Sequence, residues 1–488
     1  MPAQTPATKQ GPEEVPRPKR AEDFSEWYND VVERAGLTDK RYPIKGMNVW
    51  PGHGWAVMRR IDDLIRKYCD STDPPHQEVC FPLLIPESEL AKEAEHIKGF
   101  HDQVFWVTRA GANVLDIPLC LRPTSETAMY PIFKEWVRSH ADLPLKTYQI
   151  VNTFRYETKQ TRAFIRVREI HFFEAHTCHA DEEDAERQIK EDLEIGEKLS
   201  AALALVSFIH KRPDWDKFPG AHYTLGWDTF MESGRALQTM TMHQYRDNFA
   251  KAYDVKYEDA NGEHRYVHQT TYGISERILG AVVMAHGDDK GISLPPVIAP
   301  IQLVIVPILA KGKQDEVLAH CRALSKRWRE AGFRVHLDDR DIRPGAKYYD
   351  WELKGVPLRA EIGGREMLEK KVTLIRRFDG SKSQVGEDEI AERLPRLFEE
   401  ITSGMRERFR KTAESSIALL VSLDAFDPKK AEGKMVRMHW CGEMPCAKTI
   451  EQALDMPLLG FPLGVESKGP CAACGKESAI VVDAAKSY

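Results

Sequence analysis

The sequence predicts an α+β chain of several domains, and three observations carry that reading. Residues 148–156 and 164–173 are rich in aromatic and β-branched side chains and flank a polar, cationic run at 157–162, as in an antiparallel hairpin. From Pro300 onward apolar strands alternate with amphipathic helices, which implies a small α/β domain with a mixed sheet. Near the C-terminus four cysteines form two pairs: Cys441 and Cys446 with four residues between them, Cys471 and Cys474 with two. At 488 residues the chain can bury more than one core, and two to four domains are expected.

Charged residues make up 30% and hydrophobic ones 42%, the balance of a soluble globular protein, and no apolar run reaches the length of a membrane span. Residues 1–20 are rich in Pro, Gln, Thr and charge and lack the apolar core of a secretory signal, so they read as a disordered leader. Cys69, Cys80, Cys120, Cys178 and Cys321 are scattered, which suits small core residues rather than a disulfide framework, and a cytoplasmic location is expected. The net charge of −6 does not suggest a general nucleic-acid binder. Residues 311–377 nevertheless carry 17 Lys+Arg against 11 Asp+Glu, a place to meet a polyanion or simply a solvated helix face.

In chain order, helices are expected over 22–35 and 54–68. Residues 78–85 form a strand that Pro82 confines to an edge or a subunit boundary. A helix over 87–98 and a strand over 103–108 follow. The run LCLRPTSET at 119–127 ends a strand at a proline and crowds Thr124, Ser125 and Glu126 before a helix at 129–138. Such short polar residues serve as N-caps, or else present a carboxylate to an ammonium group. In the hairpin, Arg155, Glu157, Arg166, Arg168 and Glu169 come within reach of one site, where guanidinium groups would bind phosphate oxygens; a solvated charged face is the alternative. A charged helix over 181–200 carries no chemistry. On the strand at 235–244, Gln238, Thr241 and His243 interrupt an apolar pattern, with Gln238 out of phase with the other two. A glycine-punctuated strand then runs into Ser275-Glu276-Arg277 and an apolar helix, where Arg277 needs a partner such as a bound anion. Pro295-Pro296 marks a domain boundary, and a helix at 387–410 leaves the α/β domain. The two thiol pairs supply four soft ligands for a tetrahedral zinc; with no His or carboxylate among them, the role is structural.

The order of these pieces resembles the three motifs of class II aminoacyl-tRNA synthetases. The runs RPTSET, FIRVRE…EAHT and AHGDDKGISLPP narrow the resemblance to prolyl-tRNA synthetases of the archaeal and eukaryotic type. DDRDIRPGAKYYDWELKGVPLR, the cysteine pairs and the closing Tyr488 resemble that family's later domains. The resemblance implies a leader at 1–20, a catalytic domain at 21–298 with an antiparallel sheet flanked by helices, an anticodon-binding domain at 299–403 and a zinc-containing α+β domain at 404–488. It implies a homodimer, without a bacterial-type editing domain, that forms prolyl-adenylate from L-proline and ATP and passes the prolyl group to tRNA(Pro).

By the same resemblance, Arg155 holds the α-phosphate beside the proline carboxylate, and Arg277 with Arg166 covers the adenine and outer phosphates. Glu157 and Gln238 contact the nucleotide, and Glu169 binds Mg2+ or positions ATP. Thr124 and Glu126 receive the prolyl ammonium, Phe172 meets the pyrrolidine ring, His176, Thr241 and His243 line the pocket, and Ser275 stands near the substrate. Cys441, Cys446, Cys471 and Cys474 hold Zn2+. The chain departs from the family pattern at Ile170, Phe172-Phe173, Met240 and the run after His243. A bulky Met240 is expected to reshape the site. Two alternatives follow: a paralogue that activates a proline analogue or charges a non-tRNA acceptor, and a non-catalytic RNA- or partner-binding paralogue.

Overall fold

The computed structural model describes residues 17–92, 103–157, 160–310 and 312–488. Most of the expected leader, the second half of the helix at 87–98, part of the hairpin loop and Lys311 lie outside the described residues.

A mixed, mainly antiparallel sheet dominates the molecule. Its central strands are Leu145–Phe154, Glu169–His179, His268–Ser275, Arg235–Arg246, Tyr223–Phe230 and Phe208–Lys211, adjacent in that order and antiparallel throughout. Period-2 alternation sorts their side chains. Tyr148, Phe173, Met240, Met242, Tyr272 and Ile274 share one core cluster with apolar residues of the helices Gly52–Asp70, Glu182–Ala202 and Arg277–His286. Residues one step out of phase with them turn polar groups to the other face. Asp181 caps the Glu182 helix through its side chain, as its sequence suggests.

Two expected strands change. The strand at 78–85 divides at Pro82: Gln77–Glu78 pairs with the central sheet, whereas Leu84–Pro86 joins a separate three-stranded sheet with Asn113–Leu121 and Trp106–Ala110. The second hairpin strand starts at Glu169 rather than 164, because Phe164 adopts φ 61° in a turn closed by the bridge between Arg162 and Arg166.

The α/β domain is a five-stranded mixed sheet, with Val335–Leu337, Leu303–Ile308 and Leu358–Gly363 parallel and Lys371–Arg376 and Lys382–Gly386 antiparallel. The helix Ile390–Ser415 leaves it without a break, so the boundary expected at 403 falls inside a continuous helix. Ile401 and Met405 of that helix pack on the α/β core, and Phe409, one turn on, packs on the core beneath the central sheet. Finally, Met435–His439, Val481–Ala484 and Leu458–Pro462 form a small sheet that extends the central one through Phe208–Lys211.

Candidate active site

The polar face of the central sheet opens into a cavity of about 430 Å³. Its carboxylates are positioned from the start of the helix Glu126–Trp136 and from the strand Glu169–His179. Ser125 occupies the N-cap of that helix but makes no capping bond; its hydroxyl donates to Glu174 instead. Thr124 likewise donates to Glu126, whose other oxygen accepts from Tyr245 Oη at 3.0 Å. The short polar run is therefore part of the site. Glu126 is buried in the first helical turn, where the helix dipole favours a negative charge. Glu174 is fully buried; burial alone would raise its pKa, but hydrogen bonds involving His176, Ser125 and Gln149 hold it below the ordinary range.

Four arginines line the same cavity, Arg212 and the three that follow. Arg155 is half-buried, with Nε donating to the Pro123 carbonyl at 3.1 Å, and desolvation draws its pKa down. Arg166 Nη1 meets Glu157 Oε2 at 2.8 Å. Arg277 Nε donates to the Ile165 carbonyl at 2.8 Å; burial first, then the positive charges of Arg155 and Arg166, bring its pKa down to about 10. Guanidinium groups that repel one another in a cavity make a site for an anion with several acceptor oxygens.

On the strand Arg235–Arg246 the register slips between Trp227 and Asp228 of its neighbour, so that Thr239 is bulged out of the pairing. The extra residue corrects the phase: Gln238, Thr241 and His243 all line the cavity. His243 packs in a tilted arrangement against Phe218, with ring centroids 4.5 Å apart, and burial followed by the charges of His176 and Arg155 drives its pKa to about 3, so the ring is neutral. Ser275, Thr124, Glu126, Glu157 and Phe172 line the cavity as expected. Phe172 reaches it across Gly273, where a Cβ would lie 2.9 Å from the Phe172 Cζ.

Three expected site residues do not line it. Glu169 is one step out of phase with Ile170, Phe172 and Glu174, so it faces a neighbouring cavity and accepts from Asn152 Nδ2 at 2.7 Å. Arg168 lies over the Tyr156 ring at 4.4 Å. His176 has the correct phase but is covered by the helix Glu126–Trp136, where it meets Tyr130 Oη and Glu174 Oε2, each at 3.2 Å. Met240 edges the cavity, and its sulfur accepts from Tyr272 Oη at 3.1 Å within the core. The Phe173 ring packs against Tyr148 and Tyr272 in the same core. Glu174, Arg212, Glu276 and Phe218 were not singled out from sequence, although Glu174 is the next in-phase position after Phe172 and so was within reach of the strand periodicity.

At the C-terminus the four sulfurs of Cys441, Cys446, Cys471 and Cys474 lie within 4.8 Å of one another. Burial pushes the Cys471 thiol up, but backbone N–H groups of Cys474, Ala473 and Cys441 outweigh it and bring it to about 7. Burial and the neighbouring thiols push Cys446 up to about 12. Four sulfurs this close ionise together only around a cation, and tetrahedral zinc fits the set.

The fold and the site together define a class II aminoacyl-tRNA synthetase. Residues 105–286 match the family model for the tRNA synthetase class II core domain (G, H, P, S and T), and residues 302–397 match the anticodon binding domain. Residues 423–488 match the C-terminal domain of prolyl-tRNA synthetase. The chain belongs to the prolyl-tRNA synthetase family. It is 53% identical to the proline--tRNA ligase of Thermococcus kodakarensis over 97% of this chain and 100% of that one. It is 52% identical to that of Pyrococcus horikoshii, again over 97% and 100%. Among solved structures it resembles the prolyl-tRNA synthetase of Giardia lamblia in complex with prolyl-adenylate, with a TM-score of 0.91, 32% identity and coverage of 96% and 99%. It also resembles that of Cryptosporidium parvum complexed with halofuginone and AMPPNP, with a TM-score of 0.90, 31% identity and the same coverage.

Proposed function

We propose that this chain is a proline--tRNA ligase, a class II synthetase that charges tRNA(Pro) in two steps. A proline carboxylate oxygen attacks the α-phosphorus of ATP, pyrophosphate leaves, and prolyl-adenylate forms. A ribose hydroxyl at the tRNA terminus then attacks the prolyl carbonyl carbon and loses its proton, and AMP departs. The observation that carries this reading is one cavity lined by a buried carboxylate, Glu126, and by Arg155, Arg166 and Arg277. An ammonium-bearing acid and a triphosphate need that combination. The reaction then depends on positioning and charge stabilisation rather than on a protein nucleophile.

Glu126, steadied by Tyr245 and Thr124, receives the secondary ammonium, and Phe172 packs against the pyrrolidine ring. Arg155 spans the proline carboxylate and the α-phosphate, while Arg166 and Arg277 take the outer phosphates. Gln238 and Glu157 contact the nucleotide, and Ser275, Thr241 and His243 close the pocket. Glu276 lines the cavity, and among the described residues its Oε2 is buried without a hydrogen-bond partner, an oxygen suited to a hard cation. Glu276 and Glu157 would hold Mg2+ with the phosphates, and the metal would neutralise phosphate charge. His176 supports Glu174 from beneath. A buried carboxylate and the Phe172 ring in one cavity accord with proline as the substrate.

The four cysteines would hold a structural Zn2+. A homodimer is supported by the exposed apolar side chains Leu83, Leu84, Ile132 and Trp136 beside the Pro82 break. No helix of the described residues is long and apolar enough to cross a membrane, and a cytoplasmic location accords with the reading. Proline-dependent ATP–pyrophosphate exchange and prolyl transfer to tRNA(Pro), by folded and zinc-replete protein, test the assignment. Absence of both defeats it.

A further inference from the structure

The central sheet continues into the C-terminal domain. Phe208–Lys211 pairs antiparallel with Leu458–Pro462, with Phe461 opposite Lys211 and Pro462 opposite His210. The approach is close because Gly460, at φ +129°, has no Cβ; one placed there would lie 2.2 Å from the Lys211 carbonyl oxygen.

An unbroken series of charged groups crosses this seam. Arg437 donates to both oxygens of Asp483, at 2.8 and 2.7 Å. His210 bridges Asp483 and Asp228, with Nε2 at 3.0 Å from the first and Nδ1 at 2.7 Å from the second. A carboxylate at each ring nitrogen requires both nitrogens to donate, which makes His210 an imidazolium. Burial opposes that charge, but the two carboxylates outweigh it. Asp228 binds Arg212 through paired bonds of 2.7 and 2.8 Å, and Arg212 Nη1 also reaches the Leu459 carbonyl of the C-terminal domain at 2.7 Å. The last link is Arg212 Nη2 to Gln238 Oε1, at 3.1 Å in the cavity wall.

A carboxamide offers one acceptor oxygen and two N–H donors. With its oxygen engaged by a guanidinium, Gln238 has its amino group left for a ligand. We propose that Asp483, His210, Asp228 and Arg212 are positioning residues that fix the Gln238 amide as a donor to the bound nucleotide, so that the C-terminal domain builds part of the ATP site. The inference rests on the assignment of Gln238 to the nucleotide. Restraining the side chain before ATP arrives removes an ordering cost that binding would otherwise bear.

The test is a double-mutant cycle in the full-length, zinc-loaded enzyme, read by ATP–pyrophosphate exchange. Asp483→Asn raises KM for ATP by about five- to tenfold, with kcat and KM for proline within about twofold of the parent. Gln238→Ala raises KM for ATP as well, and the double variant is no worse than Gln238→Ala alone, because Asp483 acts through that side chain. Zinc content and thermal midpoint, measured on each variant, report folding; Arg437→Lys gives a smaller rise in KM for ATP and replaces Asp483→Asn if the latter folds poorly. If Asp483→Asn lowers only the thermal midpoint, or if its effect multiplies that of Gln238→Ala, the positioning role is overturned while the nucleotide role of Gln238 stands. If Gln238→Ala itself leaves KM for ATP unchanged, the assignment of Gln238 fails and the proposal fails with it.

Discussion

Glu126 is held by Tyr245 and Thr124 in the first turn of its helix, so removing its charge leaves the surroundings built to receive an ammonium but without the counterion. Glu126→Gln is expected to cost about 2–3 kcal/mol of substrate binding, from the worth of a hydrogen bond to a charged group. Exchange assays should show kcat/KM for proline reduced about 30- to 160-fold, with KM for ATP little changed. A second prediction concerns protons. Burial is the chief cause that lowers His76, His243 and His286 to about 3, assisted by Lys146, by His176 with Arg155, and by Arg408 respectively. Unfolded histidine titrates near 6.5, so between these values the unfolded chain binds more protons than the folded one. The stability these three histidines contribute is fully present above about pH 6.5 and falls on acidification towards 3, by about 1.4 kcal/mol per pH unit for each group. Urea midpoints at pH 7 and pH 5.5 check the slope. In His286→Leu, which removes a fully buried ring, the slope loses one proton.

At the scale of elements, small residues set how closely strands and helices approach. Gly273 lets the Phe172 ring cross the strand His268–Ser275 into the cavity. Gly273→Ala should therefore push that ring about, raising KM for proline several-fold at a cost in stability of about 1 kcal/mol, the range of mild overpacking. Proline titrations of exchange and thermal melts separate the two effects. Gly54, in the helix Gly52–Asp70, has the Leu37 carbonyl oxygen 2.1 Å from where a Cβ would stand. Gly54→Ala is expected to lose about 1–3 kcal/mol of stability, because backbone cannot yield as a side chain can. The same scale explains where strand reading succeeds and where it slips. Apolar periodicity marks the strand Arg235–Arg246, but the bulge at Thr239 belongs to the pairing with Tyr223–Phe230 and shows in the strand's own pattern only as Gln238 out of phase with Thr241 and His243. Glu169 is the converse case, since its phase against Phe172 and Glu174 was legible and the family likeness overrode it.

For the whole molecule, the four cysteines and the shared sheet tie the last domain to the first. Chelation of zinc, or Cys441→Ser, should lower the thermal midpoint and expose the C-terminal segment to limited proteolysis, since four mutually close thiols lose the cation that orders them. Metal analysis should find one zinc per chain. The division of the chain into several cores was open to reading, because each core declares itself through local hydrophobic periods and through breakers such as Pro295-Pro296. So was the grouping of Arg155, Glu126 and Arg277 in one cavity and of the four cysteines in one cluster, because residue type and order along the chain point to it. The direction each side chain takes belonged to the tertiary structure alone. Met240 and Phe173 turn into the core, His176 lies beneath the Glu126 helix, and Arg212 joins Gln238 to Asp228 from 26 and 16 residues away. A bulge, a positive φ or a covering helix settles such questions, and each is fixed by partners distant in sequence. Sequence alone determined which charged and polar groups the strands of this protein carry; tertiary structure decided which of them meet in the cavity, because burial and register are properties of pairings rather than of single segments.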